Sequence, residues 1–200
     1  MGGAARMTET PQYLAPHSVA PSFTLCVRLM LTAILLAYDP PAQPLRGDSV
    51  ARSLGSLVEA CVQGLVADAV LVGAPERGFG RIADDAGCAL VETSRPDEGL
   101  AQALTLARHD DVLLMLAGYA VERGFIDEVQ DNFAYGDHKR PLVLRAAPNS
   151  LLTRVAPQLA APVGIIARRS DLRGAASSDL ARLTKKMVGV DLTTRARRIF

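Results

Sequence analysis

The chain has 200 residues, 49% hydrophobic and 22% charged, and a formal net charge of +1 from 22 basic and 21 acidic residues. That mixture excludes wholesale disorder and a globally basic nucleic-acid binder, so no nucleic-acid partner is expected. The three cysteines, Cys26, Cys61 and Cys88, are odd in number and hold no CxxC pair. A disulfide framework and a structural zinc site are thereby excluded, and the cysteines read as small core hydrophobes.

The charge is unevenly placed. From Arg168 onward nine basic residues face three acids, a local balance of +6 that leaves about −5 for the rest. A basic end of this kind is a solvated helix and tail, or a surface for phosphate or acidic lipid, so peripheral membrane contact through it is one expectation. The expected organisation is a disordered or over-long start over 1–24, one α/β domain over 25–190, and a basic C-terminal tail over 191–200. Met7 and Met30 are alternative starts.

Residues 1–24 carry Pro11, Pro16 and Pro21 and no apolar period. Leu25 to Ala37 is an apolar run of 13 residues broken by Arg28. A membrane span needs about 20 apolar residues, and a signal peptide begins nearer the start. The run therefore reads as a buried strand of a cytoplasmic protein, ended by Asp39-Pro40-Pro41. A helix opens at Asp48 or Ser49, with Val50, Leu54, Leu57, Val58 and Cys61 on its inner stripe. Ala69 to Val72 is a strand ending at Gly73. Arg77 to Ala86 is a helix stopped by Gly87. Cys88 to Val91 is a strand, and Asp97 to His109 a helix. Asp111 to Leu116 is the central strand. Val121, Phe125, Val129 and Phe133 recur every four residues and predict the next helix, with Glu122 at its start. Pro141–Leu144 and Val163–Ile166 are two further strands. Ser178 or Asp179 opens a last helix through Leu183 and Met187.

Strands alternating with helices predict a mostly parallel sheet with helices on both faces, a Rossmann-like α/β fold. Such sheets take ligands beyond the carboxyl ends of their strands. Gly73-Ala-Pro-Glu76-Arg77-Gly78-Phe79-Gly80 lies at one such end, where helix N-terminal amides favour anions. Phe79 stands where a Walker loop has its lysine, so the segment reads either as a plain turn or as a phosphate-facing loop. The central strand ends in Leu116-Ala117-Gly118-Tyr119, which offers no carboxylate to a divalent cation. His17, His109 and His138 have no metal-ligand spacing, and no metal-ligating set is assigned.

From Leu31 to about 195 the order of elements resembles the family 2 glycosyltransferases, which have the GT-A fold. Leu35-Leu-Ala-Tyr-Asp39 is similar to the acidic end of that family's first strand, and Val66 to Val72 to its second strand. Arg81-Ile-Ala-Asp-Asp-Ala-Gly-Cys88 resembles the helix leading into its third strand. Asp111 to Phe125 resembles the strand carrying the metal-binding DxD and the turn after it. Ser178-Asp-Leu-Ala-Arg-Leu-Thr184 resembles the helix that carries the catalytic base. The resemblance implies a nucleotide-sugar donor and an acceptor-binding insertion between Leu144 and Val163, which is short here.

Several family positions hold other residues. Gly73-Ala-Pro-Glu-Arg-Gly replaces the Asp-rich nucleotide loop, Ala117-Gly118-Tyr119 replaces the DxD, and Ser177-Ser178 replaces the Glu-Asp pair beside Asp179. Without DxD carboxylates a divalent metal cofactor is not expected by this resemblance. In an active protein, Asp39 would approach the nucleotide base, and Arg77 or Arg81 would meet the phosphates. Glu76 and Tyr119 would complete the donor site, and Asp179 would be the base. The alternative is an inactive GT-A-fold binding or scaffold protein.

Overall fold

The fold comes from a computed structural model, which describes residues 30–39, 44–136, 140–149 and 151–199. Residues 1–29 lie outside it, so the expected N-terminal extension and the first part of the Leu25–Ala37 run do too. What remains of that run is β1, Leu31–Ala37, buried at every position. A strand that is apolar throughout must be covered on both faces. Leu31, Ala33, Leu35 and Ala37 point into one core, and Ile34 and Leu36 into the other.

Then come α1 (Gly47–Gly55), α2 (Val58–Val62), β2 (Val66–Gly73), α3 (Phe79–Ala86), β3 (Ala89–Glu92), α4 (Pro96–Leu106) and β4 (Asp111–Leu116). They are followed by β5 (Tyr119–Val121), α5 (Phe125–Tyr135), β6 (Leu142–Ala146), α6 (Leu151–Val155), β7 (Pro162–Arg168), α7 (Arg169–Ala175), α8 (Leu180–Met187) and β8 (Val190–Arg198). The eight strands form one sheet in the order β3-β2-β1-β4-β7-β6-β8-β5. β3, β2, β1 and β4 are mutually parallel, β7 runs antiparallel to β4 and β6, β8 is parallel to β6, and β5 is antiparallel to β8. On one face Val50 and Leu54 of α1, Phe79 and Ala83 of α3, and Phe125 and Val129 of α5 cover the sheet. On the other, Leu100 and Leu104 of α4, Leu172 of α7, and Leu180 and Leu183 of α8 cover it.

Several elements differ from the sequence reading, each for a local reason. The single helix expected from Ser49 to Cys61 breaks after Gly55, where the Ser56 N–H closes on the Arg52 carbonyl. The break resets the helical phase. Leu57 and Ala60 turn inward, while Val58 and Cys61 are exposed; Cys88 is half-buried. Val121 and Glu122 precede α5 instead of opening it, because Val121 pairs with β8 and Gly124 starts the helix. His109 lies beyond the end of α4. The stretch read as a basic tail from 191 onward is strand β8, whose Leu192 and Ala196 are buried in the core.

The link from β4 to β5 is Ala117-Gly118. Three Cα steps reach roughly 11 Å, whereas β7, β6 and β8 lie between the two strands in the sheet order. Laid flat, that separation would be roughly 19 Å. The sheet therefore curls, and the end of β8 comes round to the end of β4. The Ile199 N–H donates to the Gly118 carbonyl at 2.8 Å. Among the described residues no helix is long and apolar enough to cross a membrane.

Candidate functional site

The carboxyl ends of β1, β2, β4, β6 and β8 share one edge of the sheet, since these strands are parallel or linked through β7. Asp39 follows β1 and Arg77 follows β2. Arg77 Nη1 donates to Asp39 Oδ2 at 2.7 Å, and Nη2 to Oδ1 at 2.9 Å. The pair is a two-pronged, charge-assisted contact across 38 residues of sequence. Arg77 Nη2 also donates to the Leu45 carbonyl at 2.5 Å, and the Leu45 N–H donates to Asp39 Oδ1 at 2.7 Å. These bonds fix Leu45, whose side chain lies over Gly118: a Cβ there would stand 3.2 Å from Leu45 Cδ1.

Gly118 itself is held by its backbone. Its N–H donates to the buried Ser53 Oγ on α1 at 2.9 Å, and Ser53 in turn donates to the Ser49 carbonyl. Its φ of 87° lies in the left-handed region that favours glycine. The first and fourth strand ends are thus joined as Arg77–Asp39–Leu45–Gly118.

The other predicted residues fall differently. Glu76 has a φ of 65° at the crown of the β2–α3 loop. Phe79, in the lysine's place, is 1% exposed, and a Cβ on Gly73 would stand 2.6 Å from its ring. The loop is accordingly anchored by an apolar plug at its helical end. Arg81 lies on the outer face of α3, 90% exposed and 3.8 Å from Asp85. Tyr119 opens β5 opposite Arg198 and packs partly against the core.

Asp179 is the N-cap of α8. Its Oδ1 accepts from the Ala181 N–H at 2.9 Å and the Arg182 N–H at 3.4 Å, and Oδ2 lies 3.2 Å from Arg182 Nε. Capping explains why α8 starts there. No hydrogen bond or ion pair among the described residues joins Asp179 to Asp39 or Arg77. The neighbouring Ser178 donates through both its N–H (2.7 Å) and its hydroxyl (2.6 Å) to Asp97 Oδ1 at the start of α4. The hydroxyl bond first, then the N–H, holds the Asp97 carboxyl below its ordinary value against the cost of burial. Asp97 reads in the sequence only as a helix opener. Its tie to Ser178 spans 81 residues and leaves no sequence signal.

A second group was hidden in the supposed tail. Arg145 of β6 and Arg195 of β8 are register partners. Leu144, Ala146, Leu192 and Ala196 belong to the α5-side core, so by alternation Arg145 and Arg195 stand on the opposite face. Arg145 Nε donates to Asp191 Oδ1 at 2.8 Å and Nη1 to the Ala160 carbonyl at 2.9 Å. Arg195 Nη1 is buried without an acceptor among the described residues. The only hint in the sequence was Leu192 and Ala196 recurring at even spacing among polar residues.

A divalent cation needs several hard oxygen ligands. Ala117, Gly118 and Tyr119 supply no carboxylate, and among the described residues no three of His, Cys, Asp and Glu are grouped to hold a metal. The donor set at this edge does not fit a metal.

No protein-family model matches the sequence, and no curated protein matches it significantly. Solved structures do match in fold. Glucosyl-3-phosphoglycerate synthase from Mycobacterium tuberculosis, with Mn2+, uridine diphosphate and glucosyl-3-phosphoglycerate, superposes with a TM-score of 0.58. Identity is 15%, over 84% of this chain and 71% of that one. The same enzyme with uridine diphosphate gives a TM-score of 0.58 at 16% identity, over 88% and 74%. A mycobacterial protein gives 0.54 at 17%, over 87% and 66%. At these identities the likeness establishes the fold: the chain has the α/β architecture of the GT-A glycosyltransferases, as the sequence resemblance implied.

Proposed function

We propose that this protein binds a nucleotide-sugar at the carboxyl edge of β1, β2 and β4 and transfers the sugar to an acceptor. The observation that carries the reading is the hydrogen-bonded set of Arg77, Asp39 and Leu45, with the Leu45 side chain over Gly118, lying where an α/β sheet takes its ligand. The fold match supports it. Glucosyl-3-phosphoglycerate synthase is a sugar transferase solved with uridine diphosphate or with uridine diphosphate-glucose. In this proposal the Asp39 carboxylate accepts an N–H from the nucleobase, with Arg77 fixing its orientation and meeting the phosphates. Arg81, Glu76 and Tyr119 flank the donor.

Asp179 takes the proton of the acceptor hydroxyl. The hydroxyl oxygen bonds to the anomeric carbon as the bond from that carbon to the phosphate oxygen breaks. The nucleoside diphosphate leaves with the electron pair. A single in-line displacement of this kind inverts the anomeric centre. Calorimetric titration with UDP-, GDP- and dTDP-sugars, with and without Mn2+, tests the reading, and no heat with any donor overturns it.

A second reading, a binding module that has lost the chemistry, is favoured by one observation: both Asp179 oxygens are engaged by α8 itself. Sugar transfer or donor hydrolysis that Asp179→Asn removes would exclude it. From charge alone, we also propose peripheral contact with acidic lipid through exposed Lys185 and Lys186 of α8. Equal sedimentation with neutral and anionic vesicles would remove that contact.

A further inference from the structure

We propose that the carboxyl end of β8 is the anion-binding wall of the ligand crevice, with Arg195 at its centre and Arg197 beside it. It takes the diphosphate of the nucleotide-sugar without a bridging cation. The inference rests on the nucleotide-sugar reading above and names what neutralises the donor.

Three observations carry it. First, the curl of the sheet brings the basic end of β8 to the strand end that lacks carboxylates. Ile199 bonds Gly118, and Arg198 lies opposite Tyr119. Second, the two register partners Arg145 and Arg195 differ in their surroundings. Arg145 is matched by Asp191 and the Ala160 carbonyl, whereas Arg195 Nη1 is buried with no acceptor among the described residues. A buried guanidinium N–H without a partner costs stability, so an acceptor from outside the chain, a water or an anion, is expected to meet it. Third, the chemistry matches. A guanidinium presents a planar fork that meets phosphate oxygens two at a time, and a second arginine two residues on lies on the same side of the strand. Positive charge aimed at the diphosphate stabilises the leaving group as its charge develops, which is what a bridging metal does in a DxD site.

The test is calorimetric titration in EDTA with pyrophosphate, UDP and UDP-glucose, on the wild type and on Arg195→Gln, Arg195→Lys and Arg197→Gln. The wild type is expected to bind all three without metal. Arg195→Gln should weaken each about tenfold or more, with Arg195→Lys restoring part of the loss. Arg197 is exposed, so Arg197→Gln reads the same wall without a risk to folding and should weaken each severalfold. Unchanged affinities in Arg195→Gln and Arg197→Gln overturn the proposal. So does UDP binding seen only in a parallel titration with Mn2+ in place of EDTA, which leaves the nucleotide-sugar reading standing. Arginine-dependent binding of pyrophosphate supports the anion site, and if UDP-, GDP- and dTDP-sugars all fail to bind alongside it, the nucleotide-sugar reading is overturned instead. No binding by any of the three ligands in EDTA overturns the anion site.

Discussion

Glu128 of α5 accepts two hydrogen bonds from Thr194 of β8 on one oxygen, the backbone N–H at 2.8 Å and the hydroxyl at 2.6 Å. Its other oxygen accepts the Thr193 N–H at 2.5 Å. These donors are free because β8 bulges here: Val143 and Arg145 of β6 pair with Asp191 and Arg195, so two residues of β6 span four of β8. Burial opposes ionisation of Glu128, but the bonds from Thr194 and Thr193 outweigh it and lower its pKa. A carboxylate with a depressed folded pKa stabilises the fold fully above its unfolded value. That contribution is lost as pH falls through the folded value. Glu128→Ala is expected to lower stability by about 1–2 kcal/mol at neutral pH, and Tm by roughly 2–8 °C. The variant should show less of the acid destabilisation seen in wild type. Thermal unfolding from pH 7 to pH 3 measures both.

Asp39 and Arg77 are each partly solvent-exposed, at 44% and 33%. An ion pair so placed adds little to stability, about 1 kcal/mol or less. Asp39→Asn and Arg77→Gln should therefore leave Tm almost unchanged while weakening nucleotide binding about tenfold or more. Parallel unfolding and titration experiments separate the two effects. A loss of Tm matching the loss of affinity would make the pair structural.

Asp179 has two roles that one substitution confuses and two separate. Asp179→Ala removes the cap of α8 and should cost about 1 kcal/mol, whereas Asp179→Asn keeps a capping oxygen and most of the stability. If Asp179 is the base, both variants lose transfer by about 10²-fold or more. Transfer rates measured beside Tm distinguish base from cap.

Gly73 tests the plug under the β2–α3 loop. A methyl group added there would stand 2.6 Å from the Phe79 ring and 3.2 Å from the Ala37 carbonyl. Gly73→Ala should destabilise by roughly 1–3 kcal/mol. It should also weaken nucleotide binding, because the loop carries Arg77. Denaturant unfolding and titration check the two expectations.

Much of the architecture was legible in the sequence because the parallel core advertises itself. Leu31–Ala37 and Val112–Leu116 are apolar at nearly every position, as only strands buried on both faces are. The break between α1 and α2 was not legible, because the apolar period of Val50, Leu54, Leu57, Val58 and Cys61 runs straight across it. At the site, the family resemblance pointed to Asp39 and to Arg77 or Arg81, without indicating that Asp39 and Arg77 bond each other.

Local pattern by itself determined the alternation of strands and helices, the strand ends where a ligand belongs, and the absence of carboxylates after β4. It could do so because periodicity and residue chemistry are properties of neighbouring residues. Tertiary structure alone decided that residues 190–198 form a strand of the sheet, that the sheet curls, and that Arg195 Nη1 is buried with no acceptor among the described residues. Each of these depends on pairing between segments far apart in the chain, Arg145 with Arg195 and Gly118 with Ile199. The local residues of β8, six of the nine charged or hydroxylic, resemble a tail until Leu192 and Ala196 find a core to enter.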